Sequence, residues 1–176
     1  MVLFKTNKNR NSLLLICFSL CILAYSSVSK AQDINSLRLV GQGGMSWMFM
    51  DIYQASLYSQ DGTYQHSNYP QALTINYKKN ISKSQLIKAT KEQWKKLSVD
   101  NKRYQPWIND LNRLWPDIAK GDKLTLFIEQ GGNGYFYHNG QLIGSVDSPD
   151  FAPAFLSIWL SEKTSQPRLR KKLIGG

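Results

Sequence analysis

The side chains that could carry metal or acid–base chemistry are few and scattered in this sequence. Its two histidines, His66 and His138, are far apart, and neither has a carboxylate or a second histidine three or four residues away. A protein zinc site needs such a cluster of ligands, so we predict no metal site. The glycine clusters at 41–44 and 131–134 lack phosphate-loop spacing, and no nucleophile elbow is present. We therefore expect no cofactor.

Asp51 is the most unusual titratable residue, because it lies within an apolar strand pattern. It shares one predicted strand face with Phe49, Tyr53 and Leu57. An unpaired carboxylate in such surroundings is costly. We expect Asp51 to pair with a lysine, an arginine or a backbone N–H group, and general-base catalysis is the alternative.

Residues 1–31 have the pattern of a secretory signal peptide. Three basic residues precede a continuous apolar run at 12–24, and small residues stand at 29 and 31, where a signal peptidase reads the chain. The run is shorter than the ~20 residues that a membrane-spanning helix needs. We expect cleavage before Gln32 and one exported, periplasmic domain over residues 32–176, with no transmembrane anchor.

Cleavage would change both the cysteine content and the charge. Both cysteines lie in the segment that is removed, which leaves the mature domain without a disulfide, a thiolate nucleophile or a cysteine metal ligand. The same segment holds Lys5, Lys8, Arg10 and Lys30 and no acidic residue. The formal net charge therefore falls from +10 to +6.

The remaining basic charge is concentrated in residues 78–103. This stretch has nine basic and two acidic residues, so it alone carries +7. One interpretation is a solvated helix face whose lysine stems cover apolar surface. The other is a surface that binds an anionic partner of the cell envelope. Export argues against nucleic acid as a partner.

The periodicity of apolar residues predicts an α+β domain. Alternating patterns predict strands at 37–40, 45–59, 72–78, 123–129, 135–138 and 141–146, and helical spacing predicts helices after Ser82, near 107–118, from Ser148 and from Ser165. Three strands, two helices, three strands and two helices follow one another. This order is typical of an antiparallel sheet with helices packed on one face.

Local signals refine this arrangement. Ser82 followed by Gln85 matches a capping box, and Asn139-Gly140 between two apolar runs predicts a tight hairpin. Gly41–Gly44 is predicted to separate the first two strands. The second strand is apolar on both faces, which predicts a place in the middle of the sheet with both sides covered. Its length suggests a bulge near Asp51.

Four segments together resemble a known family. They are residues 50–58 (MDIYQASLY), 121–125 (GDKLT), 135–140 (YFYHNG) and 155–160 (FLSIWL). This ordered set is similar to the exported bacterial branch of the chalcone isomerase-like proteins, over about 37–173. The resemblance implies an open-faced β-sandwich, a long antiparallel sheet backed by helices, with a ligand cleft between the two.

The resemblance implies a catalytic set that this chain does not match position for position. The plant isomerases use an arginine before the long strand, a threonine within it, a helical tyrosine–asparagine pair and a second threonine. Here the arginine falls at Gly41, with Arg38 three residues earlier. The first threonine falls at Tyr53, and Tyr104 is the candidate for the helical tyrosine.

The resemblance also implies a binding role, because non-catalytic relatives hold fatty acids with an arginine and a tyrosine on the carboxylate. A guanidinium binds a carboxylate bidentately. The residues that could supply such a site are Arg38, Tyr53, Trp94, Arg103 and Tyr104.

Three functions remain in consideration. The first is an exported, non-catalytic protein that binds a small amphipathic or acyl ligand between sheet and helices. The second is an intramolecular lyase of the isomerase type that uses Tyr53 or Tyr104 as acid or base. The third is an envelope-associated structural protein that acts through the basic surface of residues 78–103 and has a filled core.

Overall fold

Six strands and four α-helices make up the part of the chain that this computed structural model describes, residues 34–176. The predicted signal peptide and its cleavage position lie outside the described residues. After a short 3-10 turn at Ile34–Ser36, the elements are β1 (Arg38–Trp47), β2 (Met50–Ser59), β3 (Gln71–Tyr77), α1 (Lys83–Lys96), α2 (Asn101–Leu114), β4 (Lys123–Ile128), β5 (Gly134–His138), β6 (Gln141–Val146), α3 (Phe151–Leu160) and α4 (Pro167–Leu173).

The strands form one sheet in the order β1-β2-β3-β4-β5-β6, and each neighbouring pair is antiparallel. Alternate strand residues such as Leu73, Ile75 and Leu126 join the buried side chains of the helices in one hydrophobic core. Their neighbours Thr74 and Thr125 lie on the opposite sheet face, where their hydroxyls share a 2.9 Å hydrogen bond. The predicted α+β fold, an open-faced sandwich with helices on one face, is confirmed.

The second strand is an interior strand, as predicted, because β2 pairs with both β1 and β3, although it is second from the edge of the sheet. The prediction that both of its faces are covered was wrong, since Gln54, Ser56 and Tyr58 on one face are partly exposed. The pattern misled because part of its apolar sequence is not buried: Phe49, just before the strand, and Met50, its first residue, are both exposed. Further along the strand, Ala55 and Leu57 are buried in the core as expected.

The glycine cluster at 41–44 lies inside β1 and does not separate the first two strands. Gly41 and Gly43 are needed because α4 packs directly on them. A Cβ atom on Gly41 would lie 2.8 Å from the backbone oxygen of Leu173, and one on Gly43 would lie 2.7 Å from Leu169 Cδ1. These glycines therefore serve a close approach of helix to strand rather than a turn.

The bulge expected near Asp51 is present. The β1–β2 register moves from Met45 opposite Tyr53 to Ser46 opposite Asp51, which leaves Ile52 as the extra residue. Asp51 is exposed, and its Oδ1 accepts a 2.6 Å hydrogen bond from Ser46 Oγ. Its partner is thus a hydroxyl across the hairpin and not the cation or backbone N–H that we expected.

Two hairpin turns have both central residues in the left-handed region, as a type I′ turn requires. Asn139 (φ 51°) and Gly140 (φ 85°) form the turn that the sequence predicts. Met48 (φ 47°) and Phe49 (φ 64°) form the other, between β1 and β2. Bulky residues in this conformation cost about 1–2 kcal/mol each. The rest of the fold therefore stabilises this turn against the backbone preference of its two residues.

Capping decides where α1 and α2 begin. The predicted capping box is confirmed: Ser82 Oγ accepts from Gln85 N, and Ser82 N donates to Gln85 Oε1 at 2.9 Å. The second helix starts at Asn101, earlier than predicted, because the carboxylate of Asp100 accepts a 3.0 Å hydrogen bond from Lys102 N. It ends before Pro116, which cannot continue a helix.

The last two helices begin later than predicted. Ser148 does not cap α3, because residues 148–151 form a turn in which Phe151 N donates to Ser148 O at 3.1 Å. α4 begins at Pro167, whose missing N–H costs nothing in the first turn. Gly175 follows α4 with φ 82°, so its predicted role as a helix stop is confirmed.

Asp122 joins the connection between α2 and β4 to the β5–β6 turn. Its carboxylate accepts hydrogen bonds from Ala119 N (2.8 Å) and Asn139 Nδ2 (2.9 Å) and lies 3.0 Å from His138 Nε2. The Asn139 side chain, the Ala119 backbone N–H and His138, in this order of size, lower the pKa of Asp122 to about 2.

This pKa predicts a pH dependence of stability. An aspartate whose folded-state pKa lies below its unfolded value of about 3.9 stabilises the fold above that pH and loses the contribution as the pH falls toward the folded value. We expect Asp122→Asn to unfold at lower urea concentration than the natural protein at pH 6, and the difference to shrink between pH 4 and pH 2. Asp147→Asn, at an exposed carboxylate outside this network, serves as the control; a constant difference for Asp122→Asn would contradict the prediction.

Candidate functional site

A largely apolar cavity of about 210 Å³ lies between the sheet and the helices. Its sheet side is formed by β3 and β4 residues such as Leu73, Ile75 and Leu124, and its helix side by residues such as Leu86 and Phe155. These are alternate positions of strands and one stripe of each helix, so the same periodicity that builds the core also lines the cavity. Typical ligand pockets measure roughly 300–1,000 Å³, so this cavity suits a slim ligand.

Two tyrosines place hydroxyl-bearing rings in the cavity wall. Tyr53 of β2 accepts a 2.9 Å hydrogen bond from Trp159 Nε1 of α3, and its ring meets Tyr77 edge-on at 6.1 Å. Burial raises the pKa of Tyr53 to about 12, although the Trp159 hydrogen bond opposes the shift. Burial, with a smaller effect of Tyr53, also raises the pKa of Tyr77. Both phenols are therefore neutral at physiological pH.

Trp115 supplies a hydrogen-bond donor that no residue in the described range 34–176 uses. It lies at the end of α2, is buried and lines the cavity. Its Nε1 has no hydrogen-bond partner among the described residues. A buried donor without a partner costs about 1–3 kcal/mol, and a ligand with an acceptor group could remove this cost.

No described residue that lines the cavity is an aspartate, glutamate, lysine, arginine or histidine. The interior therefore offers neutral hydrogen-bonding groups and apolar surface, with no fixed charge. An ionised group buried there would be unpaired and expensive. The interior is suited to the apolar body of a ligand and to uncharged polar atoms.

Four polar residues of the cavity lining are exposed or partly exposed and lie at its solvent side. Gln85 on α1 and Ser165 in the α3–α4 connection are exposed, and Gln93 and Gln166 are partly exposed. Ser165 Oγ donates to Gln93 Oε1 at 2.8 Å, which joins α1 to the α3–α4 connection across this mouth. The exposed Ala89 lies on the same side of the cavity. We call the set Gln85, Ala89, Gln93, Ser165 and Gln166 the cavity mouth.

Of the five predicted ligand-binding residues, Tyr53 alone lines this cavity. Arg38 is opposite Ser59 at one end of the β1–β2 hairpin, whereas Tyr53 is opposite Met45 near the other. Six residues of strand separate Ser59 from Tyr53, a distance of about 20 Å. The structure therefore does not bring Arg38 and Tyr53 together on one carboxylate.

The other three lie around α2, beside the cavity. Trp94 is fully buried, its ring is 5.5 Å from that of Tyr104, and its Nε1 donates to Ala154 O at 2.8 Å. Arg103 is exposed and pairs with Asp150 at 2.8 Å. These contacts belong to the fold, and a role of these residues in ligand binding stays a prediction.

The sequence reasoning missed three residues of the site: Tyr77, Trp115 and Trp159. Tyr77 falls within a predicted strand, and Trp159 falls within one of the segments that resemble the family. What the pattern lacks is any sign that the side chains around them leave a space, because a void depends on packing between distant segments.

Removing the Tyr53 hydroxyl tests its bond to Trp159. We expect Tyr53→Phe to lower the free energy of unfolding by about 1 kcal/mol, because the indole N–H loses its partner. Urea unfolding measures the change. Tyr58→Phe, a partly buried residue of the same strand outside the cavity, is the control and should change stability less. Equal effects of the two substitutions would contradict the assignment.

Six of the nine basic residues at 78–103 are exposed, and a role of this stretch in binding an anionic partner stays a prediction. The ion pairs within residues 34–176 use Arg103, Arg113, His138 and Arg170, and no lysine.

Within residues 34–176 no cluster of three His, Cys, Asp or Glu side chains could hold a metal ion. No helix there has the length and apolar character needed to cross a membrane.

Comparisons with known proteins agree with this fold. A model of the chalcone isomerase-like family matches residues 26–175. An uncharacterized protein of Haemophilus influenzae is 26% identical over 136 residues, 77% of this chain and 67% of that protein. The crystal structure of an Arabidopsis thaliana fatty-acid binding protein is similar with a TM-score of 0.62 and 15% identity, over 80% of this chain and 88% of that one. Identity at that level shows the fold alone.

Proposed function

The chain belongs to the chalcone isomerase-like family, and we propose that it binds a small amphipathic ligand with an acyl or similar slim apolar body and does not transform it. The observation that carries the proposal is the apolar cavity between sheet and helices, with its unused Trp115 donor and no charged lining. One similar solved structure is that of a fatty-acid binding protein, which supports an acyl chain as the ligand body.

The state of the tyrosines supports binding without turnover. Acid–base catalysis near neutral pH works best with groups whose pKa lies near the operating pH. The pKa of Tyr53 is about 12, and that of Tyr77 is raised by burial. Tyr104, the other candidate, packs against Trp94 with the ring centroids 5.5 Å apart and does not line the cavity. No lining side chain is thus ready to take a proton from a substrate.

The charge distribution suggests how the ligand lies. Its apolar body fills the interior, where it meets Leu73, Leu124 and Phe155. A charged head group remains at the cavity mouth, where water and the amides of Gln85 and Gln166 solvate it. This orientation replaces the arginine–tyrosine clamp that the family resemblance implies.

Export of the mature domain is part of the proposal. Residues 1–31 carry the signal-peptide pattern, and cleavage before Gln32 would release residues 32–176. Fractionation of the producing cells with intact-mass measurement tests this. A periplasmic protein whose mass corresponds to residues 32–176 is the expected result, and a cytoplasmic protein of full length would contradict export.

Native mass spectrometry followed by solvent extraction tests ligand binding. We expect the protein purified from its own compartment to carry a small lipid-like molecule that is released on unfolding. Ala89→Trp fills the cavity mouth and should remove the bound mass. Ser84→Trp, another exposed position in the first half of α1 but outside the cavity, should retain it.

Two outcomes would overturn the binding function. A clean unliganded mass, together with no displacement of a fluorescent fatty acid from the natural protein, would show that the cavity is unused. Turnover of a chalcone-like substrate that is abolished by Tyr53→Phe would show an isomerase instead.

A further inference from the structure

We propose that the tip of the β1–β2 hairpin, residues Trp47–Met50, inserts into an anionic phospholipid surface. The proposal goes beyond ligand binding, because it rests on the tip and the two lysines beside it and holds whatever the cavity contains. We call these four residues the hairpin tip.

The hairpin tip is an unbroken run of large apolar side chains that the fold leaves in solvent. Phe49 is fully exposed, Met48 and Trp47 are 68% and 61% exposed, and Met50 is 43% exposed. Exposed apolar residues are ordinary when they occur singly, but a contiguous group marks an interaction site. The tip is also convex, since it is the turn of a hairpin.

The backbone of the tip shows that these residue types are not there for the turn itself. Met48 and Phe49 both have left-handed φ, which Asn and Gly adopt readily and bulky side chains do not. The Asn139-Gly140 turn of the same sheet uses those favoured residues. The chain therefore keeps two large apolar side chains at positions where they oppose the turn, which indicates a role outside folding.

Basic residues flank the apolar tip. Lys79 Nζ lies 3.6 Å from Met50 Sδ, and Lys78 N donates to Ile52 O at 2.8 Å, just below the tip. Neither lysine takes part in an ion pair among the described residues. Asp51 is the acidic group on the hairpin, and its carboxylate is bound by Ser46 Oγ.

An anionic bilayer is the partner that matches this combination. Tryptophan is favoured at the membrane interface, apolar side chains insert below the head groups, and nearby lysines are attracted to anionic lipid. A protein partner would need a matching concave pocket. A bilayer accepts a convex apolar tip without one.

The hairpin tip adjoins the cavity. Met45 and Ile52 line the cavity, and each lies two residues from the hairpin tip, about 7 Å along its strand. Insertion of the tip would hold this wall of the cavity at the lipid surface. If the cavity binds an acyl ligand, as proposed above, the ligand could then exchange with the bilayer over a short distance.

Sedimentation with phospholipid vesicles tests the proposal on residues 32–176, because the described residues belong to one compact unit with its own core. Vesicles of phosphatidylethanolamine and phosphatidylglycerol (3:1) are compared with phosphatidylcholine vesicles. The test variant is Met48→Asn with Phe49→Gly, which supplies the favoured turn residues. We expect it to bind the anionic vesicles at least about tenfold more weakly, because two inserting side chains are removed.

Matched controls separate insertion from other effects. Leu142 on β6 is 58% exposed and lies at the far edge of the sheet, so Leu142→Asn should bind vesicles within about twofold of the natural protein. Lys79→Gln should weaken binding to the anionic vesicles about fivefold and leave phosphatidylcholine binding unchanged. The Met48→Asn and Phe49→Gly variant should also melt at a higher temperature than the natural protein, which excludes unfolding as the reason for lost binding.

Three results would overturn the proposal. The natural protein could fail to sediment with either vesicle, or the turn variant could bind as well as the natural protein. The protein could instead form a dimer that the turn variant abolishes, which would make the tip an interface between two copies. Displacement of a fluorescent fatty acid in vesicle-free solution reports on the cavity separately, so failure of either proposal can be recognised by itself.

Discussion

Trp94→Ala is expected to lose about 3–5 kcal/mol of its free energy of unfolding. The Trp94 side chain is fully buried, and its ring centroid lies 5.5 Å from those of both Tyr104 and Trp107. Phe151 and Phe155 complete the cluster at 6.4 Å. Truncation of the Trp94 side chain leaves a cavity that the close-packed interior fills only in part.

The hydrogen bond of Trp94 adds to this loss. Its Nε1 donates to Ala154 O at 2.8 Å, so α1 is fastened to α3 through one side chain. Urea unfolding measures the change in stability. Trp47→Ala, at an exposed tryptophan, is the control and should change the free energy of unfolding by less than about 0.5 kcal/mol. If Trp94→Ala instead kept its stability and lost only ligand binding, the residue would belong to the site, as the sequence suggested.

Elements whose signals are local could be predicted from the sequence. The capping box of Ser82 and Gln85 and the Asn139-Gly140 turn each depend on residues that are neighbours in the chain. The order of strands and helices, and hence the fold class, follows from the same short-range periodicity. These features required no knowledge of what packs against them.

The features that failed depend on contacts between distant segments. The sequence predicts a turn at Gly41 and Gly43, but both are residues of β1. The helix α4, from the other end of the chain, packs against them. The turn formed by Met48 and Phe49 was missed because neither residue type favours left-handed φ. There the local preference of the sequence and the structure disagree, which is typical of a position kept for function.

The same distinction applies to the candidate site: one of its residues could be found from the sequence, and the features that depend on contacts between distant segments could not. The family resemblance led to Tyr53, which does line the cavity. It could not show that Arg38 stands at the far end of the hairpin, because strand register decides that distance. Nor could it reveal the unpartnered N–H of Trp115, which depends on how several segments pack around the ring.

Gly41→Ala is expected to lower the free energy of unfolding by about 3 kcal/mol, at the upper end of the range for overpacking. A Cβ atom on Gly41 would overlap the backbone oxygen of Lys172 and lie 2.8 Å from that of Leu173. Flexible side chains can turn away from an added methyl group. Backbone oxygens of a helix cannot, so the whole of α4 must shift.

Gly44→Ala is the matched control for this prediction. It makes the same change three residues along β1, where the nearest atom to the new Cβ is the side-chain Oε1 of Gln54, at 3.4 Å. We expect it to cost less than about 1 kcal/mol, because that side chain can move. Similar losses for the two substitutions would mean that glycine matters in this strand for its flexibility and not for the approach of α4.

The shift of α4 should also reach the cavity. Gln166, which lines the cavity, immediately precedes α4, and Ser165 beside it is hydrogen-bonded to Gln93 across the cavity mouth. Gly41→Ala is therefore expected to weaken binding of a fluorescent fatty acid under conditions where the variant is still folded, whereas Gly44→Ala is not. Unchanged binding by a destabilised Gly41→Ala protein would show that the packing of α4 on β1 supports the fold without shaping the site.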